Sequence, residues 1–176
     1  MGIIRDIKLV KLICGLTFTE GVDLDRVIAD VQDAYGTVEE RSLVFEFTFT
    51  RYYREEMGDN LKKLFLSFSG LIHPGQLPSI KLKTNQIEQT WSMEGKRTIN
   101  LDPGYIAGAK LVLASTKDFA HRIFLADGIY GDVQLQFRHN RFWTEPWTFP
   151  DYQTDEALAF FQRVRKEYMH EEKERD

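Results

Sequence analysis

Between Arg97 and Asp127 the chain gathers Arg97, Asn100, Asp102, Lys110, Lys117, Asp118, His121, Arg122 and Asp127. The densest run is Thr116 to Arg122. A short turn between two strands would present Thr116, Lys117, Asp118, His121 and Arg122 at one end of a sheet. Lysine and arginine hold phosphate or carboxylate, and arginine does so with two parallel hydrogen bonds. Lys117, Arg122 and Lys110 are therefore the expected anion ligands. His121 could move a proton near neutral pH, with Asp118 or Asp102 as a base. Asp118 or Asp102 could also take a divalent cation. The structural alternative is an ordinary polar turn, with Arg122 paired to a nearby acid and His121 packed in the core.

Other groups stand within reach of that turn. On strand alternation Asn100 and Asp102 share a face ahead of an expected Pro103-Gly104 turn, while Arg97 points the other way. Glu46 shares a strand face with Thr48 and Thr50, facing either water or the inside of a curled sheet. Lys81, Asn85 and Glu88 form a polar helical stripe, which a solvated helix face explains. Trp143, Trp147, Phe149 and Tyr152 could stack on a base or sugar, or simply cover a sheet.

Several chemistries lack their signatures. There is no Gly-x-x-x-x-Gly-Lys-Ser/Thr loop, no His-Glu-x-x-His, no Cys-x-x-Cys and no Gly-x-Ser-x-Gly. The four histidines show no metal spacing. Cys14 sits in an apolar run with no nearby base, a poor setting for a nucleophile.

The elements that must position these groups can be read from periodicity. Residues 7–18 predict a mostly buried strand. Asp23 is an N-cap ahead of Leu24, Val27, Ile28, Val31 and Tyr35 at helical spacing, and Gly36 ends that helix. Leu43, Phe45, Phe47 and Phe49 give the cleanest alternation, a strand whose phenylalanine face the first helix should cover. A polar loop follows, then a strand through Leu64, Leu66 and Phe68. A second helix carries Ile80, Ile87 and Trp91 and stops near Gly95. Further strands are expected at 96–101, 110–116, 121–126 and 129–137, with a two-residue turn at Asp127-Gly128. Pro146 and Pro150 deny regular structure to an aromatic arm over 141–152. Thr154 caps a last helix, and the tail from about 170 to 176 should fray. The fold class is α+β. A curved, mostly antiparallel sheet has a ferredoxin-like (split βαβ) first half, a β-meander after it and a C-terminal helix.

The 176 residues suit a single domain. With 23 basic against 27 acidic residues the net charge is −4, which argues against a broad nucleic-acid surface. The one cysteine permits no internal disulfide, and no apolar run approaches the roughly twenty residues of a membrane span. A cytoplasmic protein is expected.

The strings YYREEMG, IKLKTNQIE, NLDPGYI, KLVLASTKDFAHRI, LADGIY and PWTFPDY resemble the domain of unknown function family 4416. The resemblance runs from about residue 8 to residue 168. Some members of that family carry a generic GTP-binding label, but a guanine-reading loop needs Asn/Thr-Lys-x-Asp. Here Thr116-Lys117-Asp118 has nothing between lysine and aspartate. From the residues themselves the expected function is binding, with hydrolysis or transfer as its extension, of a small phosphorylated or carboxylated, nucleotide-like ligand. The alternative is a non-catalytic interaction module whose charges are structural ion pairs.

Overall fold

The computed structural model describes residues 2–4 and 6–175. Its central strand is β1 (Lys11–Thr19), buried along almost its whole length. Side chains of a strand alternate between faces, so β1 serves two cores. Leu12, Cys14, Leu16 and Phe18 look one way, into a cluster with Val27, Val31, Ile80 and Ile87. Ile13 looks the other way, toward Phe160, Phe161 and Val164.

The first cluster is closed by two helices. In α1 (Leu24–Tyr35) the Asp23 side chain accepts from the Arg26 N–H, and Gly36 ends the helix at φ 94°, a left-handed value that glycine tolerates. The second is α3 (Leu77–Thr90). The opposite face is covered by α4 (Asp155–Arg175). A short α2 (Arg54–Met57) stands at the sheet's end.

The other strands are β2 (Val38–Arg41), β3 (Phe45–Glu46), β4 (Leu61–Phe68), β5 (Ser92–Met93), β6 (Lys96–Arg97), β7 (Ile99–Ala107), β8 (Lys110–Ser115), β9 (Arg122–Ala126), β10 (Ile129–Arg138) and β11 (Arg141–Thr144). Among the described residues eight of them join β1 in one nine-stranded antiparallel sheet in the order β11-β10-β8-β7-β1-β4-β2, with β3 on β4 and β9 on β10, while β5 and β6 form a separate hairpin. The protein is thus α+β, with four α-helices among the described residues around a mostly antiparallel sheet, the C-terminal one, α4, across one face.

Five expectations from sequence are corrected. Asp102-Pro103-Gly104 is no turn but the middle of β7; the chain reverses at Gly108-Ala109 instead. The run 43–50 keeps only the two-residue β3. Its phenylalanines avoid α1: Phe45 lies against Phe65, and Phe47 clusters with Met57 and Leu61. The second helix ends at Thr90, and the chain then turns through Glu94 and Gly95, both at positive φ, to make the β5-β6 hairpin. Part of the aromatic arm is strand β11, set by a hairpin at His139-Asn140, both left-handed. The tail stays helical to Arg175 because Glu171 pairs with the buried Lys11 and Glu172 with Lys8.

Candidate functional site

The site begins where the sheet opens. Strands β7 and β8 pair only from Gly104–Leu113 to Ala107–Lys110, whereas β7 pairs with β1 from Ile99 to Ile106. Residues 99–103 of β7 therefore have no strand on their outer side. Pro103, with no N–H to offer a ladder, stands at the point of divergence. Gly104 makes the crossing there: a Cβ on it would lie 2.4 Å from the Val112 carbonyl oxygen.

Helix α3 fills the hydrogen-bonding need of the parted strand. Glu88 Oε1 accepts from the Leu101 N–H at 2.7 Å, and Lys81 Nζ donates to the Leu101 carbonyl at 2.8 Å. Lys81 and Glu88 are buried, so the stripe they form with Asn85 is not a solvated face. Around the opening lies a cavity of about 760 Å³. It is bounded by α3, the free edge of β7, the ends of β8 and β10, and the loops at 47–53 and 149–151.

The floor is built by register. Lys63, Thr17 and Asn100 are cross-strand neighbours, and so are Phe65, Gly15 and Asp102. Lys63 is 2% exposed, with Nζ 2.7 Å from Asp151 Oδ2 and 3.6 Å from Asp102 Oδ2. Burial works against its ammonium, but the two carboxylates outweigh that and raise its pKa. The Tyr152 phenol, buried beside them, is pushed well above its ordinary value by burial and then by Asp102 and Asp151. Asn100 Nδ2, Asp132 Oδ1, Thr17 Oγ1 and the Tyr152 hydroxyl have no hydrogen-bond partner among the described residues.

One wall centres on Arg97. It donates to both carboxylate oxygens of Glu56 at 2.7 and 2.8 Å, to Glu88 Oε2 at 2.7 Å and to Asn100 Oδ1 at 3.0 Å. The hydrogen bond from Arg97 holds Glu56 below the usual carboxylate range, against the effect of its burial. Arg97 does not point away from Asn100; the β5-β6 hairpin turns it back onto β7.

The facing wall is the segment after Ser115. Arg122 Nε donates to Asp132 Oδ2 at 2.7 Å, and Nη1 donates to Ser115 Oγ at 2.6 Å and to the Lys117 carbonyl at 3.1 Å. Lys117 Nζ stands 3.8 Å from the centroid of the Tyr52 ring, a cation–π contact that joins the two rims of the mouth. Phe119 lies beneath the Arg122 guanidinium at 4.6 Å.

Of the residues singled out from sequence, Arg97, Asn100, Asp102, Thr116, Lys117 and Arg122 line this one cavity. Four others do not. Lys110 is exposed at the far end of β8, beside the 108–109 reversal. Glu46 is exposed on β3 opposite Lys62. Asp118 is exposed and outside the lining. His121 stacks on Trp147, ring centroids 5.0 Å apart, with Nε2 3.5 Å from Asp132. Arg122 pairs with an acid, as the structural alternative held, yet still faces the cavity.

Lys63, Asp151 and Asp132 were missed. Lys63 falls between Leu61 and Phe65 on a buried parity of β4, and a charge there was the available signal; Asp132 shares its parity in β10 with Tyr130, Gln134 and Gln136 and gave none. Among the described residues no group of three or more His, Cys, Asp or Glu is placed to hold a metal ion. No described helix is long and apolar enough to cross a membrane.

No curated protein and no solved structure matches the chain. The family model described as domain of unknown function (DUF4416) matches residues 8–168, nearly the whole chain, so the protein belongs to that family.

Proposed function

We propose that the cavity at the parting of β7 and β8 binds a small phosphorylated or carboxylated ligand in the cytoplasm. One observation carries this reading. Among the described residues five cations line the cavity: Lys63, Lys81, Arg97, Lys117 and Arg122. Lys63, Lys81, Arg97 and Arg122 each have a carboxylate within 4 Å. Lys117 has only the Tyr52 ring, and no carboxylate partner among the described residues. An anion is the partner that this ammonium lacks, and Thr116 beside it supplies a hydroxyl. Asn100 Nδ2 and Asp132 Oδ1, an unpartnered donor and acceptor lining the same cavity, suit polar groups elsewhere on the ligand. The cytoplasmic setting is supported by the single cysteine, Cys14, which is buried and whose thiol burial keeps protonated.

The test is thermal stabilisation by orthophosphate, pyrophosphate, adenosine monophosphate, ribose 5-phosphate and succinate. At least one should raise Tm with a saturating concentration dependence. Lys117→Ala removes an exposed side chain, so the fold stays intact while affinity for that compound falls about tenfold or more. A flat response to all five, or an unchanged affinity in Lys117→Ala, would overturn the reading.

A further inference from the structure

The outer margin of the sheet on the β10 side is made of β11 and β9 laid end to end, both paired to β10. Edge strands invite pairing with another chain unless charge, proline or a covering element blunts them. The opposite edge, β2, reads Val-Glu-Glu-Arg. Arg138 and Arg141 both lie over Trp143 of β11. Strand β9 has no such guard among the described residues. Its sequence is Arg-Ile-Phe-Leu-Ala, with Ile123 73%, Phe124 58% and Leu125 42% exposed. The one charge, Arg122, is turned inward onto Asp132 with a side chain only 4% exposed. Three consecutive apolar side chains thus stand on a free edge, one of them on the opposite face from the other two.

We infer that β9 pairs antiparallel with β9 of a second copy of this chain, about a two-fold axis through Phe124. The strand is complementary to itself in that register. Phe124 meets Phe124, Ile123 meets Leu125, and Arg122 meets Ala126, so apolar side chains oppose apolar ones on both faces. One step further, His121 stands opposite the second copy's Asp127, an acid that is free of ion pairs among the described residues. No like charges oppose each other. In any register shifted by one residue, Ile123 would meet the second copy's Phe124 or Ala126, and the His121–Asp127 opposition would be lost. The two nine-stranded sheets would join into one.

Light scattering coupled to size exclusion, at micromolar concentration, should give twice the 20.6 kDa of the single chain. Ile123→Lys places a charge on an already exposed position and should return the mass to that of one chain with Tm little changed. The register has its own test. In Phe124→Cys, mild oxidation should link two chains, since residue 124 meets itself, while Ile123→Cys should not link. A wild-type protein of single-chain mass overturns the proposal and leaves the edge to a different protein. A dimer that survives Ile123→Lys, or oxidation that links Ile123→Cys as readily as Phe124→Cys, overturns it as well.

Discussion

Gly15 and Tyr152 touch across the sheet face: a Cβ on Gly15 would lie 2.9 Å from the Tyr152 hydroxyl and 3.1 Å from Lys63 Cε. The glycine makes the passage over which Lys63 reaches Asp151 and Asp102. Neither neighbour can easily yield, because Tyr152 is rigid and fully buried and Lys63 is held by its ion pair.

Gly15→Ala should therefore cost ~1–3 kcal/mol, as overpacking of a tight core does. Tyr152→Phe removes a hydroxyl that has no partner among the described residues, so it should be neutral or stabilising. In the double variant the alanine should cost less than it does alone. Urea unfolding of the four proteins gives the coupling directly; an additive result would show that the contact does not govern the site.

Lys63→Met leaves Asp151 buried without its cation. The expected loss is ~3–5 kcal/mol, because an uncompensated interior charge is what makes breaking such a pair costly. Adding Asp151→Asn should recover much of it, measured by the same unfolding curves. The wild-type pair also has a pH signature. A lysine whose pKa is raised by folding adds stability below its ordinary value of about 10.4, and that contribution fades as pH climbs through the folded value. Lys63→Met should lack this alkaline decline.

Arg97→Ala unties Glu56, Glu88 and Asn100 together. Glu56 is lowered in the folded chain by the Arg97 hydrogen bond, so its contribution is present above the ordinary carboxylate range and is lost as pH falls through its depressed folded value. Wild-type stability should therefore drop in acid more steeply than that of Arg97→Ala. The variant should be less stable at pH 7, with the two curves converging in acid as the carboxylates protonate. Parallel curves across that range would remove Glu56 from the acid limb.

Much of this was legible in the sequence. Residue period placed α1 with both of its ends, the strands β8, β9 and β10, and the left-handed turn at Asp127-Gly128, because each depends on neighbours in sequence. The errors share a physical cause. Asp102-Pro103-Gly104 carries turn residues, yet it runs straight, since β1 pairs one side and the other side needs neither an N–H from Pro103 nor a side chain on Gly104. Phe45 to Phe49 alternates without becoming a long strand, since only Phe45–Glu46 pair with β4 and Phe47 adds a single hydrogen bond to Leu61. Lys63, Asp132 and Asp151 escaped notice because a buried charge is defined by its partner, and each partner is between ten and ninety residues away. Conversely Thr116, Lys117 and Arg122 could be grouped from the sequence, since these three stand within one local turn, although the rest of the cavity that they line comes from distant elements.

The junction of α4 with β1 gives a further outcome. Tyr168 donates to the Leu9 carbonyl at 3.1 Å, and burial with Glu172 beside it pushes its phenol up to about 12. A phenol whose pKa rises on folding stabilises below about 10 and loses that effect as pH approaches the folded value. Tyr168→Phe should cost ~1 kcal/mol at pH 7 for the lost hydrogen bond, and the penalty should shrink between pH 10 and 12. Hydrogen exchange of the last two turns of α4 should quicken in the variant; unchanged protection there would mean that Glu171 and Glu172 anchor the helix without it.

The stapling of Leu101 by Lys81 and Glu88 means that this protein has a window through its own framework with both main-chain groups of Leu101 still bonded at its edge. A sheet can ordinarily be holed only by leaving amides and carbonyls bare, which water or a wandering strand would then claim. Here two side chains borrowed from a helix frame the aperture, so it stays open without inviting collapse. Whatever enters can be reached from both layers at once, by α3 on one side and by Lys63 and Asp102 on the other.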